Sequence, residues 1–84
     1  MTKTQLKEYV MRNSNVDFNF NNKRYGIERM RDDDGIYQIY FWEWNNEETL
    51  DNHYSSYEEF EEKAKIGDLL VVEILKDIDD ADIF

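Results

Sequence analysis

The sequence predicts an α+β fold: a single domain over residues 1–84 with the element order α-β-β-β-α-α, in which a three-stranded antiparallel sheet packs against helices. The stretches 16–27 and 36–44 alternate apolar and polar side chains or are rich in Ile, Tyr, Phe and Trp, which is typical of strands. Residues near both ends place apolar side chains three and four positions apart, as helices do. At 84 residues, the chain is long enough for one hydrophobic core and too short for two.

The first predicted element is a helix. The apolar residues between Leu6 and Val10 share one helical face. Either Thr2 or Thr4 can accept a hydrogen bond from a free amide at the start of the helix. The Asn-Ser-Asn segment at residues 13–15 is a typical helix end.

Two strands then form a hairpin. Over residues 16–20 every second side chain is apolar, which predicts one buried face. The two asparagines at 21–22 predict the turn, because asparagine tolerates the left-handed backbone that tight hairpins need. The alternation continues through Tyr25 and Ile27 to about Met30.

The Asp-Asp-Asp-Gly segment at residues 32–35 is the clearest turn in the sequence, since Asp-Gly is a preferred hairpin dipeptide. Its carboxylates and glycine are reminiscent of a calcium loop, but the spacing argues against one. With Gly35 at the glycine position of an EF-hand loop, Met30 and Phe41 would occupy its first and last ligand positions. We therefore expect a solvated turn.

The third strand, residues 36–44, is apolar on both faces, and residues 45–53 form a polar loop after it. This strand belongs in the middle of the sheet, or has helices on one face and partial exposure on the other. Core packing and a contact surface are both open for its tryptophans, because tryptophan is common in interface hot spots. The two faces, between which the sequence does not decide, are Tyr37/Ile39/Phe41 and Ile36/Tyr40/Trp42/Trp44.

Two helices are predicted next. Ser56, with a glutamate three positions later, fits a capping box, and Gly67 lies where a left-handed helix end is expected. Residues 69–78 favour a second helix, because their polar side chains repeat with helical spacing. The remaining residues form an acidic tail in which Ile83 or Phe84 packs against the domain.

The residue inventory argues against catalysis, and we expect no enzyme, no catalytic residue, no cofactor and no metal. There is no cysteine, His53 is the single histidine, and the three glycines are far apart, so zinc, nucleophilic and phosphate-loop sites lack their residues. The first residues lack an apolar signal segment, and no apolar run approaches the ~20 residues of a membrane span. We therefore expect a cytoplasmic protein with no membrane partner.

The formal charge of −10 is concentrated in one half of the chain. Residues 1–42 hold seven basic and six acidic side chains, whereas residues 43–84 hold three basic and fourteen acidic ones. Such a chain repels nucleic acid and attracts a basic protein surface. The residues that we expect at a partner-binding surface are seven carboxylates and two aromatic anchors: Glu47, Glu48, Asp51, Glu58, Glu59, Glu61, Glu62, Trp44 and Tyr54.

The element order, the length, the charge and the acidic segment Tyr57-Glu58-Glu59-Phe60-Glu61-Glu62 resemble the small phage-encoded type II anti-CRISPR proteins that mimic DNA. Those proteins occupy the site where the Cas9 effector reads its short duplex motif. The stretch from Tyr57 to Leu75 also resembles uncharacterised small proteins of low-GC Gram-positive bacteria and their phages. The resemblance implies an anti-CRISPR-like DNA mimic and maps no catalytic residue onto this chain.

Two alternatives remain open from the sequence. In one, the domain assembles with itself, as a weak homodimer, or with another protein through the aromatic strand at residues 36–44. In the other, the carboxylates only keep a small domain soluble, since glutamate-rich exposed helix faces are common.

Overall fold

The computed structural model describes residues 1–78 and 81–84 and has an α+β fold, as the sequence predicts. Its helices are α1 (Lys3–Met11), α2 (Tyr57–Lys63) and α3 (Val71–Ile74), with 3-10 turns at Glu47–Thr49 and Leu75–Asp77. Its strands are β1 (Val16–Phe20), β2 (Lys23–Arg31), β3 (Tyr37–Glu43), β4 (His53–Tyr54), β5 (Lys65–Ile66), β6 (Leu69–Leu70) and β7 (Ala81–Ile83). Within the described ranges, no helix has both the length and the apolar character to cross a bilayer.

The main sheet has five strands in the order β4-β3-β2-β1-β7, so the prediction of three strands is wrong. All four pairings are antiparallel. The two additional strands are short edges: β4 pairs with Ile39 and Tyr40, and β7 pairs with β1 through Val16 and Ile83. β4 has two residues and β7 has three, which is too few for an apolar alternation to be recognised. The pairing partner of each strand also lies elsewhere in the chain.

The core lies between one face of the sheet and the helices. Ile39 and Phe41 are buried there, whereas Tyr40 and Trp42 are neither in the core cluster nor packed against it. This result decides the question that the sequence left open, because it assigns the Ile39/Phe41 side of β3 to the core. The buried apolar residues are Leu6, Val10, Val16, Phe18, Tyr25, Ile27, Ile39, Phe41, Tyr57, Phe60, Ala64, Val71, Ile74, Leu75 and Ile78.

The predicted local signals at α1 and at the first hairpin are confirmed. Thr2 is the cap of α1: its hydroxyl accepts from the Gln5 amide at 3.1 Å, and the Gln5 side chain accepts from the Thr2 amide at 2.9 Å. Asn13, with φ of 64°, follows the helix end. The turn asparagines 21 and 22 have φ of 51° and 64°, as a two-residue hairpin with both central residues left-handed requires.

The segment after α2 differs from its prediction. Ser56 caps α2 as expected, by accepting from the Glu59 amide at 3.1 Å, but the helix ends at Lys63, and Gly67 lies in the turn between β5 and β6. The helix predicted over residues 69–78 is divided into β6, the short α3 and a 3-10 turn. The two adjacent valines are helical, in α3, and the strand pairing is confined to Leu69 and Leu70, while four of the five residues of the predicted apolar side are buried.

The predicted packing of the acidic tail is also corrected. Phe84 is 71% exposed and Ile83 is 37% exposed, whereas Ala81 packs against the core. Backbone hydrogen bonds between Phe84 and Asn15, at 2.9 and 3.2 Å, extend the pairing of β7 with β1. The tail therefore docks through its backbone, and the part at residues 79–80 lies outside the described residues.

Candidate functional site

Four of the predicted site residues, Trp44 and three carboxylates, lie in the connection between β3 and β4. Glu47 and Glu48 start a 3-10 turn and are exposed, as is Asp51. The Asn46 side chain caps this turn by accepting from the Glu48 amide at 3.3 Å. The Thr49 hydroxyl accepts from the Glu43 amide at 2.9 Å and so ties the turn to the end of β3. The local hydrogen bonds thus hold the backbone and leave these carboxylates in solvent.

The carboxylates of α2 lie on its outer side, because Tyr57 and Phe60 occupy the core. The Glu58 carboxylate accepts a hydrogen bond from its own backbone amide at the helix start, and Lys7 Nζ lies 3.4 Å from it. Both interactions favour the charged carboxylate and lower the pKa of Glu58. The Ser55 hydroxyl donates to Glu59 at 2.6 Å and lowers the pKa of that carboxylate. Glu61 is half-buried and Glu62 is exposed. We therefore expect Glu58 and Glu59 to be ionised at neutral pH.

Asp51 lies close to the carboxylates of residues 32–34, which belong to the other half of the chain, residues 1–42. It lines a cavity of about 360 Å³ together with Arg31, Tyr40, His53 and the Asp32–Asp34 turn, so four carboxylates and one guanidinium meet there. The turn belongs to the nearly neutral first half of the sequence, so sequence reasoning missed its place on the acidic surface. The hairpin of β2 and β3 brings the two segments together.

The Asp32 side chain is committed to the turn that the sequence predicts. Its Oδ1 accepts from the amides of Asp34 and Ile36 at 2.9 Å each, and its Oδ2 accepts from the Gln38 amide group at 3.1 Å. These donors, the Ile36 amide first, lower the pKa of Asp32. Gly35 has φ of 80°, which completes the hairpin connection. In the part of the chain that the structure describes, no group of three or more His, Cys, Asp or Glu side chains is arranged to hold a metal ion.

The sheet surface that points away from the helices is called the open face below. Strand register places its side chains in rows across neighbouring strands, because directly paired residues of an antiparallel sheet share a face. One row runs Asp82, Asp17, Gly26, Trp42, and the next runs Glu28, Tyr40, His53.

Trp42 lies across the open face over a position without a side chain. A Cβ added at Gly26 would be 2.4 Å from Trp42 Cζ2 and 2.5 Å from Cε2, so the indole occupies the space that a side chain would take. Trp44 packs its ring edge-to-face with Trp42, with centroids 5.7 Å apart, and is 44% exposed. Tyr40 lies beside His53, with ring centroids 5.5 Å apart. The tryptophan pair is thus an aromatic surface directed outwards.

The charges of the open face are unevenly satisfied. Arg24 contacts Asp82 at 2.7 Å and Asp17 at 3.5 Å, and the first of these bonds leads the causes that raise the pKa of Arg24. Glu28, opposite Tyr40, has no ion pair with any residue that the structure describes. Partial burial, and then the charge of Asp17, raise the pKa of Glu28. Glu28 is therefore a partly desolvated carboxylate without a cation.

The two predicted aromatic anchors differ in exposure. Trp44 is exposed, whereas Tyr54 is half-buried and packs edge-to-face on Phe60 with centroids 5.8 Å apart. Sequence reasoning did not select Gly26 and Glu28, although the alternation in β2 places both on the side opposite Tyr25 and Ile27.

Comparisons with protein-family models, with curated proteins and with solved structures give no match.

Proposed function

We propose that this domain is a non-catalytic binding module whose carboxylates engage a basic surface of another protein. One observation carries the proposal. Of the seven predicted carboxylates, Glu58 alone forms an ion pair within the described ranges. The charges of the other six are thus available to a partner, and in such a cluster an approaching cation meets a summed field rather than a single carboxylate.

The specific form of the proposal is a DNA mimic in the cytoplasm. Its partner is a nucleic-acid-binding protein whose basic groove accepts the carboxylates in place of phosphates, and the domain inhibits that protein by occupying the groove. On the resemblance to type II anti-CRISPR proteins, we propose that this role belongs to phage anti-defence. Association by this mechanism is fast and falls steeply with ionic strength, because steering by exposed charges is screened by salt.

Self-association through the aromatic strand is the less favoured alternative. In a two-fold dimer the same patch of each copy meets its counterpart. On the open face, Glu28 of one copy would then approach acidic side chains of the other, and like charges brought together cost free energy. A basic partner carries no such cost, whichever of the acidic surfaces of the domain it meets.

The test compares two triple charge reversals of equal size. Glu47→Lys/Glu48→Lys/Glu62→Lys changes exposed residues of the proposed surface. Asp68→Lys/Glu73→Lys/Asp77→Lys is the control and changes three exposed residues outside it. Immobilised wild-type and variant domains are exposed to cell lysate, bound proteins are eluted with a salt gradient, and the identified partner is purified. Circular dichroism verifies that each variant is folded.

We expect the wild type and the control to retain a partner that binds duplex DNA, and the first variant to lose it. Duplex DNA should displace the wild-type domain from the purified partner. Equal loss in both variants would show that only total charge matters and would refute the proposed surface. Retention of a partner that DNA does not displace would refute the mimic and leave the binding module.

A further inference from the structure

The open face combines an outward aromatic surface with a carboxylate that lacks a cation. Trp42 spans Gly26, and Trp44 extends the aromatic surface to the end of β3. Glu28 lies two residues beyond Gly26 on the same side of β2, a separation of about 7 Å along the strand. A ligand a few ångströms across can thus contact the indole and the carboxylate together.

We propose that this part of the open face binds an arginine side chain of the basic partner, with the guanidinium stacked on Trp42, which Trp44 supports edge-to-face, and hydrogen-bonded to Glu28. The proposal rests on the proposed function in one respect, namely that the partner is basic. It adds the place of the contact and the residue type that is recognised.

The charge of the open face favours a cation over an apolar ligand. Arg24 already serves Asp17 and Asp82, so the unsatisfied charge is that of Glu28. An apolar partner would bury Glu28 without compensation, which is costly for a carboxylate. An incoming cation supplies the missing counter-ion and at the same time interacts with the negative faces of the aromatic rings.

Arginine fits this surface better than lysine. Its guanidinium is planar, stacks on aromatic faces and donates two parallel hydrogen bonds to one carboxylate. The lysine ammonium is a strongly hydrated point charge that gains less from stacking. Surfaces of nucleic-acid-binding proteins are rich in arginine for the same geometric reason, since phosphate also accepts two parallel bonds.

The experiment uses intrinsic fluorescence, because the two tryptophans of the chain are both at this site. The domain is titrated with nona-arginine and, separately, with nona-lysine, two probes of equal charge. The variants are Glu28→Gln and Trp44→Ala. The control is Glu73→Gln, which removes one exposed carboxylate from α3 and none from the sheet or from the carboxylate surface of the proposed function.

We expect nona-arginine to bind wild type more tightly than nona-lysine and to change the tryptophan emission. Glu28→Gln and Trp44→Ala should each weaken nona-arginine binding about tenfold, and Glu73→Gln less than twofold. If Trp44→Ala fails to fold, Glu28→Gln tests the site alone. Sedimentation equilibrium without peptide, at two ionic strengths, tests a second copy as the occupant.

Three results would overturn the proposal. Equal weakening by Glu28→Gln and Glu73→Gln, with no preference for arginine, would mean that the peptides respond only to total charge. In that case the proposed function survives and this site does not. Binding of neither peptide by any form would also contradict the proposed function. A dimer that Trp44→Ala dissociates would identify the occupant as a second copy of this chain.

Discussion

Gly26→Ala should destabilise the domain by displacing Trp42, and its size follows from the geometry. The added Cβ would lie 2.4 Å from Trp42 Cζ2, whereas ordinary van der Waals contact begins at 3.4 Å, so the indole must move by about 1 Å. The indole is rigid and also contacts Trp44, so it cannot yield by rotating a flexible end. Inserting a methyl group into a packed site costs roughly 1–3 kcal/mol.

The same substitution has the opposite sign once the indole is removed. Gly26 is not among the residues with positive φ, so alanine fits its backbone without strain. In a Trp42→Ala background, Gly26→Ala should therefore stabilise by about 0.4–1 kcal/mol, because alanine restricts the unfolded chain more than glycine does. Adding the magnitudes of these two effects gives a coupling free energy of roughly 1.5–4 kcal/mol between positions 26 and 42.

Urea unfolding followed by far-ultraviolet circular dichroism measures all four members of this double-mutant cycle, since one pair lacks Trp42. Tryptophan emission of Gly26→Ala should also shift to longer wavelength as the indole becomes more exposed. A coupling free energy within about 0.5 kcal/mol of zero would refute the close approach of Trp42 to β2, because independent sites add to within that margin.

Three further predictions concern single side chains. The Tyr57 hydroxyl is buried and has no hydrogen-bond partner among the described residues, so Tyr57→Phe should raise the free energy of unfolding in urea by about 1 kcal/mol. The pKa of Asp32 is lowered, so its carboxylate contributes stability above its unfolded pKa of about 3.9 and loses that contribution as pH falls through the lower folded value. Asp32→Asn should therefore destabilise the domain at pH 7 and have little effect near pH 2. Thermal melts that show the same effect at both pH values would contradict the hydrogen bonds of the turn. The raised pKa of Glu28 affects stability in the opposite direction, because the charged form of this carboxyl group is disfavoured in the folded state. Glu28→Gln should therefore raise the unfolding midpoint at pH 7 and change it little below the unfolded pKa of about 4.3. An unchanged midpoint at pH 7 would mean that Glu28 is fully solvated.

The Glu28 prediction describes a surface that is less stable than it could be. A carboxylate without a cation beside exposed indoles costs free energy in the isolated domain, and an arginine from a partner offsets that cost. Asp32 shows the contrasting case, in which three donors from its own turn satisfy a carboxylate. The two acidic side chains therefore carry the same charge and differ in the hydrogen-bond donors that lie close to them.

The candidate site was predicted from sequence only in its outline. The exposed glutamates of α2 and of the loop after β3 follow from helical spacing and polar composition, and the structure leaves most of their side chains in solvent. The sequence did not predict which acidic residues lie next to these glutamates and Asp51, because strand pairing brings Asp51 to the Asp32–Asp34 turn. Tyr54 was predicted as a possible anchor from its residue type, and its ring packs on Phe60, a contact that no local pattern encodes.

Sequence alone determined the elements whose causes are local. Hydrogen bonds or backbone preferences within a few residues determine a helix cap at Thr2 or Thr4, the asparagine turn at 21–22, the Asp34-Gly35 turn and the start of α2 at Ser56. The structure shows that Thr2 is the cap of α1. Alternation likewise identified the strands β1 and β2, because a strand with one buried face must repeat every two residues, and the density of Ile, Tyr, Phe and Trp identified β3.

Only the tertiary structure decided which face of β3 is buried, where β7 pairs and which charges are neighbours. Both faces of β3 are apolar, so the choice depends on which one the helices cover. The pairing of β7 with β1 joins segments from opposite ends of the chain through backbone atoms, which carry no residue pattern. For the same reason Glu28 became the unpaired carboxylate beside Trp42: the register of β2 on β3, and the commitment of Arg24 to Asp82, are contacts between distant parts of the chain.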